Sequence, residues 1–76
     1  MHTKEVQTMR ELLRQFANKT VRVYTISGVE SYLGIIQEVG DQYVALRSYF
    51  KEDVSYISLA HIESFKVEPV SENAKL

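Results

Sequence analysis

The chain has no cysteine, no tryptophan, one proline and three glycines in 76 residues. Without cysteine there are no disulfide staples and no Cys/His set for a structural metal, so a domain this small must find stability elsewhere. No stretch approaches the roughly 18 consecutive apolar residues that cross a bilayer. The formal net charge of −1 provides no global positive field, so any contact with nucleic acid has to come from a local patch. Acids and serines are scattered, and no glycine-rich phosphate loop precedes a helix. His61 and Glu63 offer two metal ligands without a third. The expectation is a protein that is not an enzyme and carries no cofactor. The opening residues, MHTKEVQTMRELL, are charged throughout and lack the apolar core of a secretory signal, which predicts a cytoplasmic location.

What the chain does have is 45% apolar residues against 25% charged, the balance of a globular domain. A domain of this length buries only about 60% of the surface its unfolded chain exposes, so self-association is a natural source of further buried area. Val6, Met9, Leu12, Leu13 and Phe16 follow the helical i, i+3, i+4, i+7 spacing. The spacing predicts a helix over about 4–17, capped by Thr3, with Glu5 in its first turn and Asn18 as terminator. Its apolar face is expected to cover an open end of a sheet. Lys4, Arg10 and Arg14 on the other side are offset by Glu5 and Glu11.

From Thr20 the period changes to two. Val21, Val23 and Thr25 point one way, and Arg22, Tyr24 and Ile26 the other. Strands are predicted over about 20–27, 30–39, 42–49, 54–58 and 62–67, within one domain covering 1–68 and followed by a tail at 69–76. Ser27-Gly28 supplies the first turn and Gly40-Asp41 the second. The second strand groups Leu33, Ile35 and Val39 on one face, and Tyr32, Ile36 and Glu38 on the other. Gly34 in its middle predicts a bend or bulge that lets a small sheet curl. Val44 and Leu46 form an inward pair in the third strand. In the fifth, Ile62 is out of phase with Phe65 and Val67, which predicts a bulge near Glu63. Pro69 ends the sheet.

Gly34-Ile35-Ile36, then Val39, then Asp41-Gln42-Tyr43-Val44-Ala45-Leu46 resembles the first motif of the Sm-like superfamily, which includes Sm, LSm and Hfq proteins. Tyr56-Ile57-Ser58-Leu59-Ala60-His61-Ile62-Glu63-Ser64-Phe65 stands in the place of the second motif. The resemblance covers about residues 6–67 and is closest in character to small bacterial or phage Sm-like proteins. It implies a mainly β fold with one N-terminal α-helix and a small five-stranded, strongly bent SH3-like or Sm-like barrel. It also implies a homo-oligomeric ring of roughly five to seven subunits, joined edge to edge. Where relatives carry the basic residues that clamp uridine, this chain has Ser58, Leu59 and Ala60.

Within that frame Gln42, Tyr43 and Arg47 are the expected contacts to single-stranded RNA, an aromatic to stack a base beside a cation to meet phosphate. Tyr56, Ile57 and Phe65 are the expected subunit seam, the alternative being that they fill the core of a monomer. A different class of function is an SH3-like barrel that binds a protein through Tyr49, Phe50 and the hairpin tip from Ser48 to Asp53.

Overall fold

The computed structural model describes residues 8–48 and 51–69. The first element begins with a capping box. Thr8 is extended (φ −75°, ψ 162°), and its hydroxyl accepts from the Glu11 amide at 3.1 Å. The Glu11 carboxylate in turn accepts from the Thr8 amide at 3.0 Å. Two amides that a helix start leaves orphaned are thereby satisfied, and helix α1 runs Met9–Arg14. It is shorter than the expected span because Thr8 takes extended backbone at one end. At the other, Gln15, Phe16 and Ala17 tighten onto carbonyls three residues back. Thr3, Lys4, Glu5 and Val6 lie outside the described residues.

Asn18 ends this turn in the left-handed region at φ 69°, a conformation asparagine tolerates better than most residues. Its amide donates to the Ile36 carbonyl at 2.9 Å, and the Ile36 amide donates to the Lys19 carbonyl at 3.0 Å. The helix exit is thus tied to the middle of the sheet. Leu13 is fully buried, with Met9 and Phe16 packed against the same core.

The strands are β1 Thr20–Thr25, β2 Ser31–Val39, β3 Tyr43–Ser48, β4 Val54–Ser58 and β5 Ile62–Val67, with a 3-10 turn at Leu59–His61. They form one antiparallel sheet in the order β4-β3-β2-β1-β5. The fold is therefore mainly β with a short N-terminal helix. The sheet is not closed, and β4 and β5 are its two edges. Among the described residues, no helix is long and apolar enough to cross a membrane.

Alternation in β1 is clean: Val21, Val23 and Thr25 are buried. Ile36, Val44, Leu46, Ile57 and Ile62 complete the core with Leu13. In β2 the irregularity sits elsewhere than the glycine predicted. Gly34 pairs regularly with Val21 on one side and Ser48 on the other. What Gly34 supplies is close approach, since a Cβ there would lie 2.6 Å from the Arg47 carbonyl oxygen. The register shifts instead between Ile36, opposite Leu46, and Glu38, opposite Ala45, leaving Gln37 as an extra residue. This bulge resets the phase, so Val39, opposite Val44, packs on the core together with Ile36. The expected grouping of Ile36 with Glu38, against Val39, is corrected accordingly.

In β5 the phase break near Glu63 is present. Tyr24 faces Ser64 while Thr25 faces Ile62, so Glu63 is the supernumerary residue. Beyond β5 the ladder continues one step, with the Glu68 amide donating to the Thr20 carbonyl at 2.9 Å. The tail beyond Pro69, and Tyr49 and Phe50 in the hairpin tip, lie outside the described residues.

Candidate sheet-face site and assembly edges

Strand β3 carries Tyr43, Ala45 and Arg47 on the face turned away from the core, because Val44 and Leu46 point inward. Tyr43 is half-buried and Arg47 is exposed. Gln42 precedes the strand at the opposite phase and is exposed, and its carbonyl accepts from the Leu59 amide at 2.9 Å. The structure thus brings Tyr43 and Arg47 to one face and sets Gln42 beside them at the strand's start. Among the described residues Arg47 makes no ion pair. Its cross-strand neighbours are Ile35 and Val54.

Tyr43 is more engaged than a free stacking platform. Its hydroxyl donates to Glu38 Oε2 at 2.8 Å, and its ring lies 5.8 Å from that of Tyr56, tilted by 52°. The same ring covers Gly40, where an added Cβ would overlap it. The hydrogen bond to Glu38 raises the phenol pKa above its ordinary 10.0, helped by desolvation, by the Glu38 charge and by Tyr56. Glycine at position 40 therefore serves the aromatic three residues on, a role its turn-forming character alone does not signal.

The three expected seam residues part company. Tyr56 stands on the outer face of β4 and is 66% exposed. Ile57 is buried opposite Val44. Phe65 is half-buried and meets Phe16 edge to face at 5.9 Å and 67°. The side chains of Ile57 and Phe65 belong to the core, and Tyr56 alone of the three is presented to solvent.

Two arginines on α1 act where the sequence offered no signal. Arg10 pairs with Asp41 at 2.8 Å, and Arg14 donates to the Val39 carbonyl at 3.4 Å. Both clasp the turn between β2 and β3. Among the described residues no group of three or more His, Asp or Glu is placed to hold a metal ion.

The edges have a definite polarity. The Leu59 amide bonds to Gln42, and the Ser48 amide to the Asp53 carbonyl at 3.0 Å. In an antiparallel ladder, hydrogen-bonded pairs alternate with unbonded ones, so the bonded residues of β4 are Ile57 and Ser55. The backbone groups of Val54, Tyr56 and Ser58 face away from the sheet. At the other edge the Glu68 to Thr20 bond sets the phase, so Lys66 and Ser64 bond to β1. There the backbone groups of Phe65 and Val67 face away.

Comparison with protein-family models, curated proteins and solved structures finds no match to this chain.

Proposed function

We propose that this chain is a non-enzymatic, Sm-like subunit that assembles edge to edge into a homo-oligomeric ring and acts as a scaffold for single-stranded RNA. One observation carries the assembly reading: an all-antiparallel sheet with an odd number of strands has edges that run in the same direction. β4 and β5 of one copy cannot pair antiparallel with each other. The three-residue turn at Leu59–His61 is also far shorter than the dozen or so residues a parallel crossover needs. Among the described residues both edges therefore keep unpaired amides and carbonyls, a hazard that ordered pairing with another copy removes. Because the edges differ, that pairing is heterologous, and it forms a ring where the rotation closes. The strand order and the bulge in β2 support the Sm-like form of the barrel.

RNA is the ligand that Arg47 supports, as an exposed cation two positions from Ala45 and four from Tyr43 on a common face. Repetition round a ring multiplies a weak contact. Light scattering across a concentration series tests the assembly, and a single-chain mass at every concentration defeats it. Fluorescence titration with uridine-rich and adenine-rich oligonucleotides, at two salt concentrations, tests the ligand. Arg47→Ala is expected to weaken binding and flatten its salt dependence. No binding by the parent protein at low salt removes RNA and leaves the scaffold.

A further inference from the structure

We infer that Tyr56 is the anchor of the seam between copies, and that its socket is the cleft beside β5 of the next copy. The inference rests on the edge-pairing reading above and adds which side chain fills which space. In a hydrogen-bonded antiparallel pair, the two opposed side chains lie on the same face of the sheet. The outward backbone groups of β4 belong to Val54, Tyr56 and Ser58, whose side chains are on the outer face. Those of β5 belong to Phe65 and Val67, which share the core face with their partners Val23 and Val21. An antiparallel junction therefore turns the sheet over, and the outer face of β4 runs into the core face of the neighbouring β5.

The register follows from the residues available. Placing Tyr56 opposite Phe65 of the next copy puts Val54 opposite Val67, so apolar residues meet at both bonded positions. Sliding by two residues one way sets Val54 against Pro69, which has no amide to donate. Sliding the other way sets Tyr56 against the bulge at Glu63, where regular pairing stops. The first register alone sets both Val54 and Tyr56 against regular β5 positions that carry an amide, and it leaves only Ser58 at the bulge.

That register sets Val54 directly against, and the Tyr56 ring diagonally across from, a cleft of about 500 Å³ whose apolar lining is Phe16, Val67 and Pro69. Val67 is 39% exposed and Tyr56 66%, each at its own edge of the sheet. Phe16, which lines the cleft, already meets Phe65 edge to face, so a third ring adds to an aromatic cluster. Behind Tyr56, Tyr43 stands at 5.8 Å with its hydroxyl held by Glu38. The anchor is therefore braced before it meets its socket, which lowers the entropy lost on docking.

Two experiments test this. The first is sedimentation velocity on the full chain and on Tyr56→Ala, Tyr56→Phe and Val29→Ala, with circular dichroism to follow folding. Tyr56→Ala is expected to weaken assembly by roughly thirtyfold or more, as for a buried aromatic hot spot. Tyr56→Phe keeps the ring and is expected to assemble like the parent. Val29, 83% exposed in the turn between β1 and β2, is the control. The second uses the absence of native cysteine. In the inferred register Ser55 and Lys66 of adjoining copies form an unbonded pair, with Cα atoms close enough for a disulfide. Oxidised Ser55→Cys/Lys66→Cys is expected to give a covalent ladder on a non-reducing gel, and Ser55→Cys/Glu68→Cys is not. Assembly of Tyr56→Ala as tight as the parent's overturns the anchor while leaving the ring intact, and a ladder from the Glu68→Cys pair overturns the register. If Tyr56→Ala fails to fold, the disulfide pairs decide alone. A parent chain that is monomeric throughout overturns the ring reading itself.

Discussion

The Tyr43 hydroxyl donates a 2.8 Å hydrogen bond to Glu38 across the turn between β2 and β3, and the Tyr43 ring closes over Gly40 between them. This contact raises the Tyr43 pKa, chiefly through the hydrogen bond, so the folded chain keeps the phenol proton after the unfolded chain has released it. The stabilisation is whole below the ordinary value of 10.0 and is lost as pH rises through the raised one. Following phenolate absorbance against pH, Glu38→Gln is expected to move one tyrosine step downward. The Tyr32 step, raised mainly by its hydrogen bond to Glu30, should stay in place. Gly40→Ala should shift the Tyr43 step in the same direction as Glu38→Gln by displacing the ring.

Gly34 is held by its neighbours' backbone. Gly34→Ala is expected to destabilise by about 1–3 kcal/mol in urea unfolding, because the new methyl meets the fixed Arg47 carbonyl at 2.6 Å. A side-chain clash could relax by rotation, but this one requires β2 and β3 to separate.

Leu13 is the one buried residue of a six-residue helix, so the docking of α1 depends heavily on it. Leu13→Ala is expected to cost about 3 kcal/mol. Thr8→Ala, which removes the capping hydroxyl and no core contact, is expected to cost about 1 kcal/mol. Urea midpoints should separate the two, and equal losses would mean that the helix is held by its cap.

Arg22 and Lys66 face each other directly across β1 and β5, and Glu68 bonds Arg22 Nε at 3.2 Å. Both Arg22 and Glu68 side chains are about one-third exposed, so the pair is partly screened. Glu68→Gln should lower stability by less than about 1 kcal/mol at low salt. The loss should shrink as salt is added, because the opposed like charges it leaves are also screened.

Much of the sheet was legible in the sequence because its information is local. The alternation of Val21, Val23 and Thr25 assigns β1, and the phase conflict between Ile62 and Phe65 places the bulge at Glu63. The bulge at Gln37 was not legible. Ile35 and Ile36 supply apolar residues in both phases, and Gly34 drew the irregularity toward itself. The helix start had a readable sign that the apolar spacing outweighed: Thr8 followed three residues later by Glu11 is the wording of a capping box. On the outer face, residue types identified Tyr43 and Arg47 but not what surrounds them. The Tyr43 to Glu38 bond depends on the turn geometry, and the pairing of Arg10 with Asp41 joins residues 31 apart. Ile57 and Phe65 lie on the two edge strands, and their phase along those strands turns their side chains toward the core.

The bulges at Gln37 and Glu63 also bear on chain length. Each adds a residue to one strand that no residue opposite requires, and both side chains are exposed. Deleting either one leaves every inward residue on both sides of it still inward. Deletion within β2 or β5 away from Gln37 and Glu38 and from Glu63 and Ser64 would exchange inside for outside along the remainder of the strand. The two bulges are therefore the places where these strands can lose a residue without losing their core, and what each deletion would remove is local twist.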